Sequence, residues 1–138
     1  MKIILSFFFL LVLGGVSAQK YSVTVNAISF PDNVGQAYLA IYRAQDEFPV
    51  INKQYVGKVV AISSNQAALT FTQLPKGKYA VAVFHDRNKN GKLDTNLFGV
   101  PTEEYGFSNN ARNTFSAPSF SDASFMVDGN KTISITVK

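Results

Sequence analysis

Apolar and polar residues alternate with a period of two along most of this chain. Successive side chains of a β-strand point to opposite faces of a sheet, so this period predicts strands with one buried face. The alternating segments are rich in Val, Ile, Thr and aromatic residues, which suit a pleated, half-buried surface. There are seven such segments: residues 21–27, 37–42, 56–62, 67–71, 79–84, 123–127 and 133–137.

Turn-forming residues separate the segments, among them Pro31 with Asp32 and Asn33, and Asp128 with Gly129. The Asp-Gly pair between the last two segments predicts a β-hairpin. Seven short strands separated by turns predict an all-β fold, a seven-stranded antiparallel β-sandwich with one long ordered loop. The alternation predicts these core residues: Val23, Val25, Leu39, Ile41, Val81, Val83, Phe125, Ile133 and Ile135.

The chain begins with the features of a secretory signal peptide. Lys2 precedes an apolar run at residues 3–13, and small residues follow up to Ala18. The run is shorter than the ~20 residues that a permanent membrane helix needs, which disfavours an uncleaved anchor. We therefore expect removal of residues 1–18 and a single domain at residues 19–138, exported to the periplasm or the extracellular space without a stable membrane span.

Composition narrows the classes of partner. The chain has no cysteine, so it has neither disulfides nor thiolate metal sites, nor the thiol for a lipid anchor. Its formal net charge is +4, or +3 once Lys2 leaves with the signal peptide. The basic residues are spread along the sequence. A nucleic-acid interface needs a concentrated basic patch, so no nucleic-acid partner is expected.

Residues 96–119 break the alternation. A connection of this length is uncommon in a compact domain unless it is functional or disordered. Disordered segments are poor in aromatic residues, whereas this segment carries four. We therefore expect an ordered loop whose rings either cap the core or form a ligand surface. The candidate ligand-surface residues are Phe98, Tyr105, Phe107, Asn109 and Asn110.

A polar loop follows the fifth alternating segment, with oxygen-bearing side chains at every second position and a glycine after the third. It matches the first part of the calcium loop D-x-[DN]-x-[DN]-G, in which alternate oxygens converge on the ion. The predicted calcium ligands are the side chains of Asp86, Asn88, Asn90 and Asp94 and the backbone carbonyl of Lys92. Leu97 occupies the position of the usual closing glutamate, so a remote carboxylate must complete the shell: Glu103, Glu104 or Asp122.

A turn without metal is the alternative for this loop. Asn90 followed by Gly91 is a strong signal for a two-residue hairpin, and Asp and Asn populate turns without any ion. That interpretation accounts for two residues but not for the shared two-residue step of Asp86, Asn88 and Asp94. Both interpretations stay open at this point, and calcium is the one cofactor that the sequence indicates.

The stretch LPKGKYAVAVFHDRNKNGKLDTNLFGVPTEEYGFSNNAR, residues 74–112, resembles the hallmark region of a bacterial family of small exported proteins, domain of unknown function 2141 (DUF2141). The alternating strands on either side extend the resemblance over the whole of residues 19–138. It implies secretion, a sandwich of prealbumin or immunoglobulin-like type, and family motifs at residues 85–96 and 105–110. It implies no catalytic residues.

Enzymatic activity is not expected. His85 is the only histidine, and neither Ser108 nor Ser121 lies in a strand-turn-helix nucleophile motif. Zinc needs several nitrogen or sulfur ligands, which this chain lacks. The sequence therefore predicts a non-catalytic binding or interaction module of the cell envelope, whose unknown ligand is a sugar, a peptide or a protein. The alternatives are a purely structural secreted domain without a ligand, and a small hydrolase that uses His85 or the acidic residues.

Overall fold

The computed structural model describes residues 14–138, so residues 1–13 of the predicted signal peptide lie outside the described residues. The helical elements of the described part are a 3-10 turn, Ser108–Asn110, and a short helix, α1, Phe120–Ala123. The strands are β1 (Lys20–Ile28), β2 (Gln36–Arg43), β3 (Val56–Val60), β4 (Gln66–Pro75), β5 (Gly77–Asp86), β6 (Tyr105–Phe107), β7 (Phe125–Val127) and β8 (Lys131–Thr136).

The strands form two sheets. One has three strands in the order β4-β1-β8, and the other has five, in the order β3-β2-β5-β6 with β7 also paired to β5. The nearly all-β architecture is confirmed, and each of the seven alternating segments contains a strand. Within residues 14–138 the strand count is corrected to eight, because β6 lies in the long segment without a period. Three residues are too few to show an alternation.

Two features of the predicted topology are wrong. β1 and β8 run parallel, with Val23 paired to Lys131, so the sandwich is not purely antiparallel. Asp128 and Gly129 close no hairpin, because β7 pairs with β5 and β8 pairs with β1. The turn instead carries the chain from one sheet to the other. Alternation defines which face of a strand is buried, whereas the partner and direction of the strand depend on contacts distant in sequence.

The main core lies between the two sheets. All the predicted core residues belong to it, with Phe125 and Ile133 partly buried at its margin and the other seven buried. Burying one aliphatic side chain of this size contributes about 1.5–3 kcal/mol. Because the chain has no disulfides, this cluster is the main source of stability.

The five-stranded sheet is covered on its outer face as well. The residues of β2 and β5 that point away from the main core are largely buried, namely Ala40, Tyr42, Ala80 and Phe84. A second apolar cluster covers part of this face and comprises Ala80, Phe107, Ala123, Phe48 and Phe120. The ring of Phe48 lies edge-on to those of Tyr42, Phe107 and Phe120. The long segment therefore packs on the outer face, as an ordered loop.

β6 anchors the middle of this long segment and joins the two sheets. The backbones of Tyr105 and Lys138, just beyond β8, are hydrogen bonded to each other. A Cβ atom on Gly106 would lie 2.4 Å from the carbonyl oxygen of Thr136, so only glycine permits this approach. The middle of the long segment is thus held against the outer edge of β5 and the end of β8.

Candidate functional site

The polar loop begins at Asp86, the last residue of β5, which is fully buried. Its Oδ1 accepts a hydrogen bond from the backbone N–H of Asn90 at 3.0 Å. Its Oδ2 accepts from the N–H of Gly91 and the side-chain amide of Gln36, both at 2.9 Å. Gly91 has a φ of +76°, which L residues rarely adopt. These bonds fold the loop back over the end of β5 and satisfy a carboxylate whose burial would otherwise be costly.

Three of the four predicted ligand side chains are hydrogen bonded to one another, and Asp86 is linked to them through the backbone N–H of Asn90. The amide nitrogen of Asn88 donates to Asp94 Oδ2 at 2.7 Å, and that of Asn90 donates to Asp94 Oδ1 at 2.9 Å. Lys92 takes part through its backbone N–H, which donates to Asn90 Oδ1 at 2.9 Å. The structure therefore brings together the side chains that the two-residue step singled out, with Asp86 and Asp94 as the carboxylates.

The loop is not a two-residue hairpin. No strand of the described chain follows Asn90 and Gly91 directly, because the next one, β6, begins at Tyr105. The chain leaves the loop through a backbone bond from the N–H of Thr102 to the carbonyl of Asp94, 2.8 Å long. The hairpin interpretation is wrong because a hairpin needs a second strand that pairs with β5 immediately after the turn.

Of the three remote carboxylates, Glu103 is the one that reaches the loop. It is 7% exposed, and its two oxygens accept from the backbone N–H groups of Arg87 at 2.9 Å and Asp94 at 3.0 Å. Glu104 pairs with Arg87 instead, and Asp122 lies in the first turn of α1. Within residues 14–138, no group of three or more acidic or histidine side chains is arranged to hold a metal ion. An ion at this loop would therefore need amide and backbone oxygens besides carboxylates.

A charged network lies behind the loop and centres on Arg87. Its guanidinium donates to Asp32 at 2.8 Å and to Glu104 at 3.2 Å. The hydrogen bond from Arg87 is the main cause that lowers the pKa of Asp32. Burial acts to raise the pKa of Glu104, but the hydrogen bond from Arg87, with smaller contributions, brings it below its usual value. His85 lies beside the same carboxylates, with Nε2 at 2.6 Å from the carbonyl of Val34 and Nδ1 at 3.3 Å from Glu104.

Two of the residues considered for hydrolysis, His85 and Ser108, hold structural contacts. His85 is fully buried and packs edge-on against the core residue Phe30. The hydroxyl of Ser108 is also buried, where it accepts from the N–H of Val81 and donates to the carbonyl of Ala123. The environment of both groups is therefore that of a folded core and not of a surface open to substrate.

Beside the polar loop, a cleft of about 390 Å³ opens over the outer face of the five-stranded sheet. Two arms border it, the first arm at residues 93–101 and the second arm at residues 113–117. Among the candidate ligand-surface residues, Phe98, Tyr105 and Phe107 line this cleft. The first arm follows directly on the polar loop, so the loop determines where one wall of the cleft stands.

Asn109 and Asn110 are not among the lining residues of the cleft. The amide nitrogen of Asn109 donates to the carbonyls of Asp122 and Ser124 at 3.1 and 2.9 Å. Asn110 Oδ1 accepts from the N–H of Thr136 at 2.9 Å. Both side chains fasten the long segment to its neighbours.

Sequence reasoning missed the floor of the cleft. The register places Tyr38, Phe84 and Tyr105 in one row across β2, β5 and β6, and Ala40, Ala82 and Phe107 in the next. The small side chains of Ala40 and Ala82 leave room between larger neighbours. One feature of the sequence could have indicated this floor. Ala40 and Ala82 occupy positions of β2 and β5 that point away from the main core, where a fully packed face would carry larger residues.

A model of the protein family described as "Uncharacterized protein conserved in bacteria (DUF2141)" matches residues 23–135. The chain belongs to the DUF2141 family. The DUF2141 match runs from within β1 into β8, so it includes the polar loop and both arms of the cleft. No curated protein and no solved structure matches the chain. Among residues 14–138 of this DUF2141 protein, no helix has the length and apolar character needed to cross a membrane.

Proposed function

We propose that this DUF2141 protein is a non-catalytic binding module of the bacterial cell envelope, and that its ligand occupies the cleft between the two arms. The observation that carries the proposal is the open cleft of about 390 Å³, whose lining is mainly apolar. Small-molecule sites span roughly 300–1,000 Å³, so the volume of the cleft suits a ligand of this class.

The proposal includes a calcium ion at the polar loop. The side-chain oxygens of Asp86, Asn88, Asn90 and Asp94, the carbonyl of Lys92 and the carboxylate of Glu103 would hold it. Calcium takes six to eight oxygen ligands, and this set is all oxygen. Rotating each asparagine amide group by a half-turn about its last side-chain bond would point its oxygen at the ion in place of its nitrogen. The two orientations have nearly the same shape. Bound calcium would supply no chemistry and would stabilise the start of the first arm.

The proposal also includes export. The basic, apolar and small residues that succeed one another in residues 1–18 support a signal peptide cleaved after Ala18, with the product in the periplasm or outside the cell. Two packed sheets support a sandwich of prealbumin or immunoglobulin-like type.

Binding of anilinonaphthalene sulfonate, a fluorophore with an apolar ring system and one sulfonate group, tests the proposal. The folded protein should bind one fluorophore saturably. Ala82→Phe fills the floor of the cleft and should weaken this binding by about tenfold or more, a loss of about 1.4 kcal/mol or more. Ala68→Phe makes the same change at an exposed position of β4, in the other sheet, and should bind as the wild type does.

The melting curves of all three proteins should be cooperative, because loosely folded states also bind this fluorophore. Absence of saturable binding to the folded wild type would contradict the proposal. Equal binding by the wild type and a folded Ala82→Phe variant would place the fluorophore elsewhere and contradict it as well. In either case a structural domain without a ligand becomes the better description.

A further inference from the structure

The cleft is free of charge. Its described lining residues include no Asp, Glu, Lys, Arg or His. Two of its hydroxyls are already engaged within the protein, since that of Tyr42 donates to the carbonyl of Val50 and that of Tyr38 accepts from Gln54. Polar ligand groups lose their water on binding, which costs free energy unless the site offers partners. The second arm adds three polar residues to the lining, Asn113, Thr114 and Ser116, and the amide of Asn113 donates to Ser116 and to the carbonyl of Ala117. The floor of the cleft therefore suits a part of a ligand that is uncharged and apolar.

The floor of the cleft has a gap at two small side chains. Ala40 on β2 pairs with Ala82 on β5, so their small side chains lie next to each other across the strands. On one side of this pair, the rings of Tyr38 and Phe84 are stacked with centroids 5.1 Å apart. On the other side, Tyr42 follows two residues further along β2. The Ala40–Ala82 pair therefore forms a low strip of the floor that is bordered by aromatic rings, with Phe107 next to Ala82 on β6. A slender, flexible chain enters such a gap more readily than a bulky group.

The mouth of the cleft is bordered by apolar side chains that the protein leaves uncovered. Leu97 and Phe98 on the first arm and Phe115 on the second arm are 102%, 90% and 99% exposed. Single exposed apolar residues are common, but a group of them beside an apolar cavity indicates an interaction site. Because Phe98 and Phe115 also line the cleft, the apolar surface extends from the floor to the rim.

We propose that the cleft binds the saturated acyl chain of an amphiphile, with the chain along the Ala40–Ala82 strip and the polar head in solvent beyond the arms. The uncharged lining, the low strip of the floor and the apolar rim all fit such a chain. This inference rests on the proposed function, because it names the ligand class of the same cleft.

Displacement of bound anilinonaphthalene sulfonate by octanoate, decanoate and dodecanoate, each below its micelle concentration, tests the inference. Each step of two methylenes should strengthen displacement by about fifteenfold until the cleft is full, the factor that corresponds to ~0.8 kcal/mol per buried CH₂. Phe98→Ser should weaken dodecanoate binding several-fold. Val34→Ser, at an exposed apolar residue in the loop between β1 and β2, should leave it unchanged.

Failure of this inference is distinct from failure of the proposed function. If the fluorophore binds but displacement does not depend on chain length, the acyl-chain assignment is wrong and the binding module stands. The same holds if maltose or N-acetyl-phenylalanine amide displaces the fluorophore as strongly as dodecanoate. If the fluorophore does not bind, the proposed function itself fails.

A second measurement identifies the source of the chain, by sedimentation of the protein with phosphatidylcholine vesicles. If the wild type and Val34→Ser bind the vesicles and Phe98→Ser does not, the inference is supported and the acyl chain belongs to a membrane lipid. If displacement of the fluorophore depends on chain length but the protein does not bind vesicles, the inference is supported and the acyl chain belongs to a soluble amphiphile.

Discussion

Asp86 combines full burial with a negative charge, and three hydrogen bonds to its carboxylate hold the polar loop in place. Asp86→Asn keeps the size of this side chain and removes its charge. With two carboxylates in the loop itself, we expect a weak calcium site, with Kd of about 10⁻⁴ to 10⁻³ M. Calcium at ten times Kd would stabilise the wild type by about 1.4 kcal/mol and raise its melting temperature by a few degrees. Asp86→Asn should lose this response.

Thermal melts with chelator, with calcium and with magnesium measure the effect. Magnesium should raise the melting temperature less than calcium does, because it demands near-octahedral geometry and gives up its bound water reluctantly. Asp128→Asn, at an exposed carboxylate in the turn before β8, should respond to calcium as the wild type does. A wild-type melt that millimolar calcium leaves unmoved would show that the polar loop binds no calcium.

The Arg87 network predicts a particular pH dependence of stability. The pKa values of Asp32 and Glu104 are lowered in the folded protein, so the unfolded chain takes up protons first as the pH falls. Their stabilising contribution is therefore present at neutral pH and is lost as the pH falls below about 4. Arg87→Gln removes the guanidinium hydrogen bonds that chiefly lower both pKa values, so this variant should lose less stability on acidification.

Urea denaturation at several values between pH 7 and pH 3 tests this expectation. Lys53→Gln removes an exposed cation elsewhere, near Glu47, and should keep the wild-type pH profile. Parallel profiles for the wild type and Arg87→Gln would show that the network does not couple folding to these carboxyls.

Some residues of the candidate site could be recognised from the sequence, whereas others could be recognised only from the fold. The two-residue step of Asp86, Asn88, Asn90 and Asp94 was visible because all four lie in one short loop. Glu103 was one of three remote carboxylates that the sequence offered, and only the fold selects it, since the chain must pass through the first arm before this carboxylate returns to the loop. The pairing of Ala40 with Ala82 depends on the register of two strands that lie far apart in sequence.

At the level of strands and sheets, the buried face of a strand could be predicted from the sequence, whereas its neighbouring strands could not. Val83 alternates with its neighbours along β5 and is buried as expected. The parallel pairing of β1 and β8 was missed, because nothing in either segment states its direction relative to the other. β6 was missed because its three residues are too few to show a pattern. Its extended backbone depends on hydrogen bonds to β5 and Lys138, which the local sequence does not reveal.

Val83→Asp tests the assignment of the buried face. Val83 is 1% exposed in the centre of β5, so an aspartate there would bury a charge without a partner and should unfold the domain. Val59→Asp makes the same change at a residue of β3 that is 53% exposed, and the protein should stay folded. Circular dichroism and thermal melting compare the two variants. A cooperatively melting Val83→Asp protein would show that the assigned register of β5 is wrong.

For the molecule as a whole, processing is the first expectation to check. If residues 1–18 act as a signal peptide, the exported protein should begin at Gln19, because the small residues before that position suit signal peptidase. Intact mass spectrometry of the exported fraction measures the new N-terminus directly. A product that retains Met1 in the membrane fraction would contradict both cleavage and export as a free protein.

The parallel pairing of β1 with β8 also governs how the domain responds to a mechanical load. Six residue pairs, from Val23 with Lys131 to Ile28 with Thr136, place the start of β1 and the end of β8 at opposite ends of a ladder roughly 20 Å long. A pull applied at these two points strains the rungs of the ladder together, in shear, instead of opening them one after another. A domain built in this way resists stretching along β1 and β8 more strongly than one whose first and last strands form a hairpin.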